Sequence, residues 1–297
     1  MREKPPIKIG LIAAAVIGVA LAGVHIVLLR TIQSQPIGPG LAFAGALLVL
    51  ALVFLGLWLY GLIELLTLGY QVDRNGVEIR TASARQTIPH AAIERIEYGE
   101  SAGAPGRIQG IAWPGYMRGI VSAPPFGRIA VWATEPLQRQ LILVTGEMCY
   151  AISPADRSGF VQRYLARREL GALESLPQLL TPVGIASWSI WRDRVFWLAM
   201  AIGLALNAAM AALTLVRYST LPAIIPLHWN AQGQPDRLAA KASVFAIPAI
   251  GAAVLLSNLA LAVALHRGER LGARLLAWGS IGVQIALWAA AWQVLGP

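Results

Sequence analysis

The sequence predicts an α-helical membrane protein of about five transmembrane helices that carries an inserted α+β domain of antiparallel strands and one C-terminal helix. Three observations predict it. Of 297 residues, 57% are hydrophobic and only 13% are charged, outside the usual balance of a soluble domain. Five uncharged apolar runs approach the roughly 20 residues needed to cross a bilayer core as helix: Ile9 to Leu29, Leu41 to Ile63, Val195 to Val216, Ala242 to Leu265 and Leu275 to Leu295. Between the second and third runs, Tyr70 to Asp193 carries charges every few positions and must face water. The resulting plan is a two-helix hairpin over 1–69, a water-facing domain over 70–170, an interfacial linker over 171–194, and a three-helix region over 195–297 with an outer loop at 218–240.

Orientation follows from basic residues in short flanking segments. Arg2, Lys4 and Lys8 precede span one, and Arg267, Arg270 and Arg274 crowd the turn between spans four and five, an even number of crossings away. Both are therefore expected in the cytoplasm, with residues 70–193 beside them and the C-terminus outside the cell membrane. Span one also has the basic start of a secretory leader, with Ala20-Leu21-Ala22 as a cleavage site, but its apolar run continues to Leu29 and suits a retained anchor better. Trp58, Tyr60, Trp191, Trp197, Trp288 and Trp292 lie near span ends and read as interfacial lipid anchors. The formal charge of +9 is mostly helix-end punctuation, which gives no case for a nucleic-acid partner, and the lone Cys149 closes no intramolecular disulfide.

Inside the water-facing domain, Tyr70 to Asp73 and Val77 to Arg80 read as a hairpin around a primed Asn75-Gly76 turn. Gln86 to Pro89, Ile93 to Tyr98 and Met148 to Ile152 add extended pieces. Arg128 to Thr134 and Gln140 to Thr145 read as a second hairpin. Ser153-Pro154-Ala155-Asp156 signals a helix start, with proline in the first turn and Phe160, Val161, Tyr164 and Leu165 at helical spacing. The Gly/Pro-rich stretch from Ser101 to Gly127, with Trp113-Pro114-Gly115-Tyr116, reads as a long loop packed on the barrel or the membrane. Arg163, Arg167 and Arg168 read as cations at a helix C-terminus, and Leu179 to Trp191 as an interfacial segment.

The pattern Tyr70, Val72, Gly76, Val77, Ile79, Ile88-Pro89, Ile93, with Ala133-Thr134, Tyr150, Ile152-Ser153-Pro154 and Phe160, resembles the bacterial membrane-associated PH-like domains. That resemblance implies strands closed by a capping helix. It does not imply phosphoinositide binding, because the Asp73 to Gly76 turn lacks clustered Lys and Arg.

The outer loop holds the one compact constellation of unusual residues. Pro222, Pro226 and Pro235 fix backbone angles, Gly233 frees one, and Asp236 is placed to cap the following helix, leaving His228 and Asn230 as free polar groups beside Trp229. Pro222, Ile225-Pro226, His228, Asn230, Gly233, Pro235-Asp236 and Lys241 resemble the outer-loop motif of the SdpI-like bacterial membrane proteins. Members of that family include toxin-immunity and signal-transducing proteins.

Intramembrane polar residues are few. Asn207, Asn258 and Gln284 are expected to face one another, and Glu64 to pair with Arg194 or snorkel to the headgroups. No nucleophile elbow, zinc-protease, phosphate-loop or dinucleotide motif occurs, so the expectation is a non-enzymatic protein with no cofactor or metal. Expected partners are the lipid bilayer, a protein on the cytoplasmic domain and an extracytoplasmic peptide or protein ligand. The alternatives are a transporter lined by Glu64, Asn207 and Gln284, and a hydrolase using His228 and Asp236, with His25 as a remote candidate for a metal ligand.

Overall fold

The computed structural model describes residues 2–230, 232 and 234–296, with side chains at all of them except Pro39, Leu227, His228 and Trp229. Five helices among these are long and apolar enough to cross a membrane: α1 (Lys8–Ser34), α2 (Pro39–Thr67), and later in the chain α4 (Arg194–Arg217), α5 (Ala246–Leu265) and α6 (Arg270–Leu295). The chain divides into two units, Met1–His25 with Ala51–Ser187, and Ile26–Leu50 with Trp188–Pro297.

The first unit is strand-rich. Its first sheet has the order β1 (Arg2–Glu3), β2 (Gly69–Val72), β3 (Gly76–Arg80), β4 (Ala84–Pro89), β11 (Leu179–Pro182). Its second has the order β5 (Ile93–Tyr98), β9 (Leu141–Thr145), β10 (Cys149–Ile152), β8 (Gly127–Ala133), β7 (Tyr116–Ala123), β6 (Gln109–Trp113). The helix α3 (Arg157–Glu169) closes the main core through Phe160 and Tyr164, which join Tyr70, Ile79, Ile88, Leu141, Leu143 and Ile152. Full burial of one such side chain is worth about 1.5–3 kcal/mol. Alternate residues of the second sheet, Ile129, Val131, Ile142, Val144, Cys149 and Ala151, fill a separate apolar cluster. Both faces of these strands are thus covered, which is why they read as continuous apolar runs instead of alternating ones. Tyr70 ties the sheets together: its hydroxyl donates to the Trp132 carbonyl at 2.7 Å and accepts from the Ser153 N–H at 3.2 Å, and burial pushes its pKa up.

Several expectations are corrected here. β8 and β9 do not form a hairpin. β10 lies between them, parallel to β8 and antiparallel to β9, because the Glu135–Gln140 connection spans the width of one strand while the Thr145–Met148 turn is tight. The β2–β3 turn is not a primed one. Among the described residues none other than glycine has positive φ, and Asp73 Oδ1 instead accepts the Asn75 and Gly76 N–H groups at 2.8 and 3.0 Å. Asp156, not the proline turn, caps α3 by accepting from Gly159, so Pro154 precedes the helix. Part of the expected interfacial segment is the edge strand β11, paired with β4, followed by 3-10 turns. The stretch from Ser101 to Gly127 contains the β6–β7 hairpin, and its Trp113-Pro114-Gly115-Tyr116 tip reaches both α1 and α2. A Cβ on Gly10 would meet the Gly115 carbonyl oxygen at 2.5 Å, and one on Gly61 would collide with the Trp113 ring, so two glycines create the seat for this tip.

The second unit contains the α4–α5–α6 bundle. Small residues at its helix contacts, Ala199, Gly203, Ala262, Ala273 and Ala277, allow close approach where lipid tails supply no hydrophobic drive. Between α4 and α5 runs a hairpin of β12 (Ile224–Trp229) and β13 (Pro235–Ala240). Three of the tryptophans expected as lipid anchors also have an intramolecular acceptor, because an indole N–H in an apolar setting needs one. Trp58 donates to Ala14, Trp197 to Ile190 and Trp288 to Leu206, at 2.9–3.0 Å.

Candidate functional site

Polar groups of the α4–α5–α6 unit occupy three levels. At one end is the β12–β13 hairpin. Its ladder has register shifts around Pro226 and His228, as expected where proline supplies no N–H. Asn230 is not free. Its Oδ1 accepts from the Gln232 and Gln234 N–H groups at 3.0 and 2.8 Å, while its own N–H donates to the Gln234 carbonyl at 2.9 Å, so it shapes the turn. Asp236 does not cap a helix, because Pro235–Ala240 is a strand and α5 begins only at Ala246. Pro222 and Pro235 are exposed and Pro226 is half-buried. Gly233 lies outside the described residues, as does the side chain of His228, whose backbone belongs to β12. Lys241 anchors the hairpin base: its N–H donates to Ala223 and its ammonium lies 4.7 Å from the centre of the Tyr218 ring.

The middle level is the amide set. Asn207 Nδ2 donates to Gln284 Oε1 at 3.2 Å and to the Pro248 carbonyl at 3.0 Å, and Gln284 Nε2 donates to the Gly251 carbonyl at 2.9 Å. A Cβ at residue 251 would collide with the Asn207 amide, so the glycine is required by this pairing. Asn258 joins a separate pair, donating to Ser280 Oγ at 3.0 Å and to the Leu276 carbonyl at 3.3 Å.

At the third level Asp193, buried at the N-cap of α4, accepts from the Phe196 N–H at 3.1 Å. Its Oδ2 lies 2.9 Å from His266 Nε2 and 2.9 Å from Arg274 Nε, and His266 Nδ1 lies 3.2 Å from Ser189 Oγ. A carboxylate only accepts, so Nε2 carries the proton, and in the neutral ring the Ser189 hydroxyl donates to Nδ1. Burial opposes the Asp193 charge, but hydrogen bonds from Arg274, His266 and Phe196 outweigh it and hold the pKa well below the usual carboxylate range. The first residues of α4 and α6 and the end of α5 are thereby clasped by one anion.

Sequence reasoning missed this clasp. The available signal is parity: with α4 and α5 both crossing the membrane, Asp193 and the His266–Arg274 turn share one side, although the basic residues of that turn carry only a topological reading in the sequence. Glu64, in the first unit, follows neither expectation, that of pairing with Arg194 or that of snorkelling to the headgroups. It is fully buried, pairs with Arg118 of β7 and accepts from the Ser83 N–H at 2.9 Å, while Arg118 also donates to Tyr60 and Ser83 at 2.8 and 3.0 Å. Arg163 pairs with Glu3 at 2.8 Å, so it too has an intramolecular partner.

Residues 68–168 match the family model described as Bacterial PH domain. Residues 205–252 match that of a Domain of unknown function, DUF1648. No curated protein and no solved structure matches the chain. The protein is a multi-pass membrane protein with an inserted PH-like domain and a DUF1648 segment. That segment is centred on the β12–β13 hairpin and extends into the flanking helices to Ala205 and Ala252, so that it includes Asn207 and Gly251.

Proposed function

We propose that the protein is a non-enzymatic recognition or signalling element of the cell membrane, related in role to SdpI-like immunity and regulatory proteins. In this reading the β12–β13 hairpin faces outside and meets an extracytoplasmic peptide or protein, while the PH-like domain lies in the cytoplasm and engages a protein partner. The supporting observation is that the hairpin has a specified shape, set by Asn230 and the three prolines, at the centre of the DUF1648 segment. A preshaped loop lowers the ordering cost of binding. Asn230 builds the turn, so recognition rests on His228, and complementation tests it. Growth or transcript changes that follow deletion of the gene are restored by the wild-type gene and not by His228→Ala at equal membrane abundance; full restoration by His228→Ala overturns the reading.

A further inference from the structure

The PH-like domain contains a cavity of about 550 Å³ between the β4–β11 edge of one sheet and β6–β7 of the other, within the range of small-molecule sites. Trp132 and Tyr150, stacked with ring centres 6.5 Å apart, belong to its lining, as do Ile111, Ile120 and Leu180, and Met148 adds a flexible thioether able to adapt to an irregular occupant. We propose that this cavity takes one acyl chain of a bilayer phospholipid.

The polar groups of the lining favour an apolar occupant, because most of them are already engaged. Gln178 donates to Tyr150 Oη at 2.8 Å and to Thr145 Oγ1 at 3.3 Å, and Gln86 Nε2 donates to the Thr87 carbonyl at 3.1 Å. Arg118 is the one cation among the described residues of the lining, and its guanidinium is committed to buried Glu64 and to the Tyr60 and Ser83 hydroxyls. A phosphorylated headgroup would have to break that pair and leave Glu64 buried and uncompensated, a steep penalty. An acyl chain asks for no such exchange. It displaces water from apolar walls, and relief of that hydration is the driving force.

The membrane is also the nearest source. Tyr60 lines the cavity and belongs to the apolar helix α2, seven residues before its last residue Thr67, or about 10 Å along the axis at 1.5 Å per residue. One wall of the cavity is thus part of a membrane-spanning element, where lipid chains are far more concentrated than any soluble ligand. The proposal rests on the membrane assignment of α2 and is independent of the recognition role of the hairpin.

Full-length protein in phosphatidylcholine nanodiscs, with a diazirine in the distal acyl chain, tests it after photolysis and peptide mapping. Adducts are expected on the Met148–Tyr150 and Leu180 peptides, in addition to those on lipid-facing α1. Leu180→Glu, at a position 47% exposed and therefore tolerant of charge, is expected to lower the cavity adducts at least about tenfold with α1 labelling unchanged. Ala130→Phe, which fills the floor, should do the same. Adducts confined to the spans in the wild type, or cavity adducts unchanged in Leu180→Glu, overturn the proposal, and the latter variant decides if Ala130→Phe does not fold.

Discussion

Asp193 combines burial with full ionisation, and its neighbours explain how. Two cationic or protonated side-chain donors and one backbone N–H converge on its carboxylate, so its folded-state pKa lies below the unfolded value near 3.9. A depressed carboxylate pKa contributes stability that is present above the unfolded value and lost as pH falls through the folded one. The purified protein is therefore expected to unfold at lower temperature or denaturant at pH 3 than at pH 7, and Asp193→Asn to flatten that dependence. Asp193→Ala, which leaves buried His266 without its acceptor while half-exposed Arg274 can turn to water, is expected to cost about 1–3 kcal/mol at pH 7. Denaturant titrations of the three proteins at both pH values are the check. Cys149 shows the opposite case: burial raises its pKa and outweighs a backbone hydrogen bond at Thr145, so its thiol is expected to react slowly with thiol reagents.

Among the elements, the β12–β13 hairpin depends most on a single side chain. Asn230 Oδ1 satisfies two turn N–H groups that the strands cannot. Asn230→Ala is expected to cost about 1 kcal/mol locally, which speeds exchange of the Gln232 and Gln234 amides about fivefold and leaves the helices unaffected. Hydrogen exchange of the full-length protein measures this, and unchanged turn protection would contradict the assigned role. The β6–β7 hairpin illustrates a different dependence. Its tip is seated by Gly10 and Gly61, residues that look like ordinary small positions in apolar helices until the Trp113 ring occupies the space beside them. Strand pairing likewise gives Leu179–Pro182 a place in a sheet, although its sequence carries little strand signal beyond two leucines and a threonine.

At the scale of the whole molecule, orientation in the membrane is the property with the widest consequences. From the even parity of the basic flanks, the N-terminus and residues 70–193 are expected in the cytoplasm and the hairpin outside. Native Cys149 is a poor reporter because it is 5% exposed, so the test uses Cys149→Ser with single cysteines at exposed Glu174 or Gln232. In intact cells a membrane-impermeant maleimide is expected to label Gln232→Cys and not Glu174→Cys, with both labelled after permeabilisation. The reverse pattern inverts the topology and moves the β12–β13 hairpin to the cytoplasm.

The sequence by itself determined the membrane class, the five spans to within a few residues, and the strand-rich insertion with its capping helix; of the three amides expected to face one another, Asn207 and Gln284 do, while Asn258 turns to Ser280. These depend on local quantities: run length, charge spacing, turn chemistry and the cost of an unpaired amide in lipid. Only the tertiary structure decided that β10 separates β8 from β9, that Glu64 meets Arg118 rather than Arg194, that Asn230 is a turn former, and that Asp193 clasps three helices through residues as distant as Arg274. The Asn230 turn is local, one of several hydrogen-bond uses open to an Asn; the Glu64 and Asp193 pairings are choices among chemically equivalent partners far apart in the chain, made by which surfaces the packed helices and sheets bring within hydrogen-bonding distance.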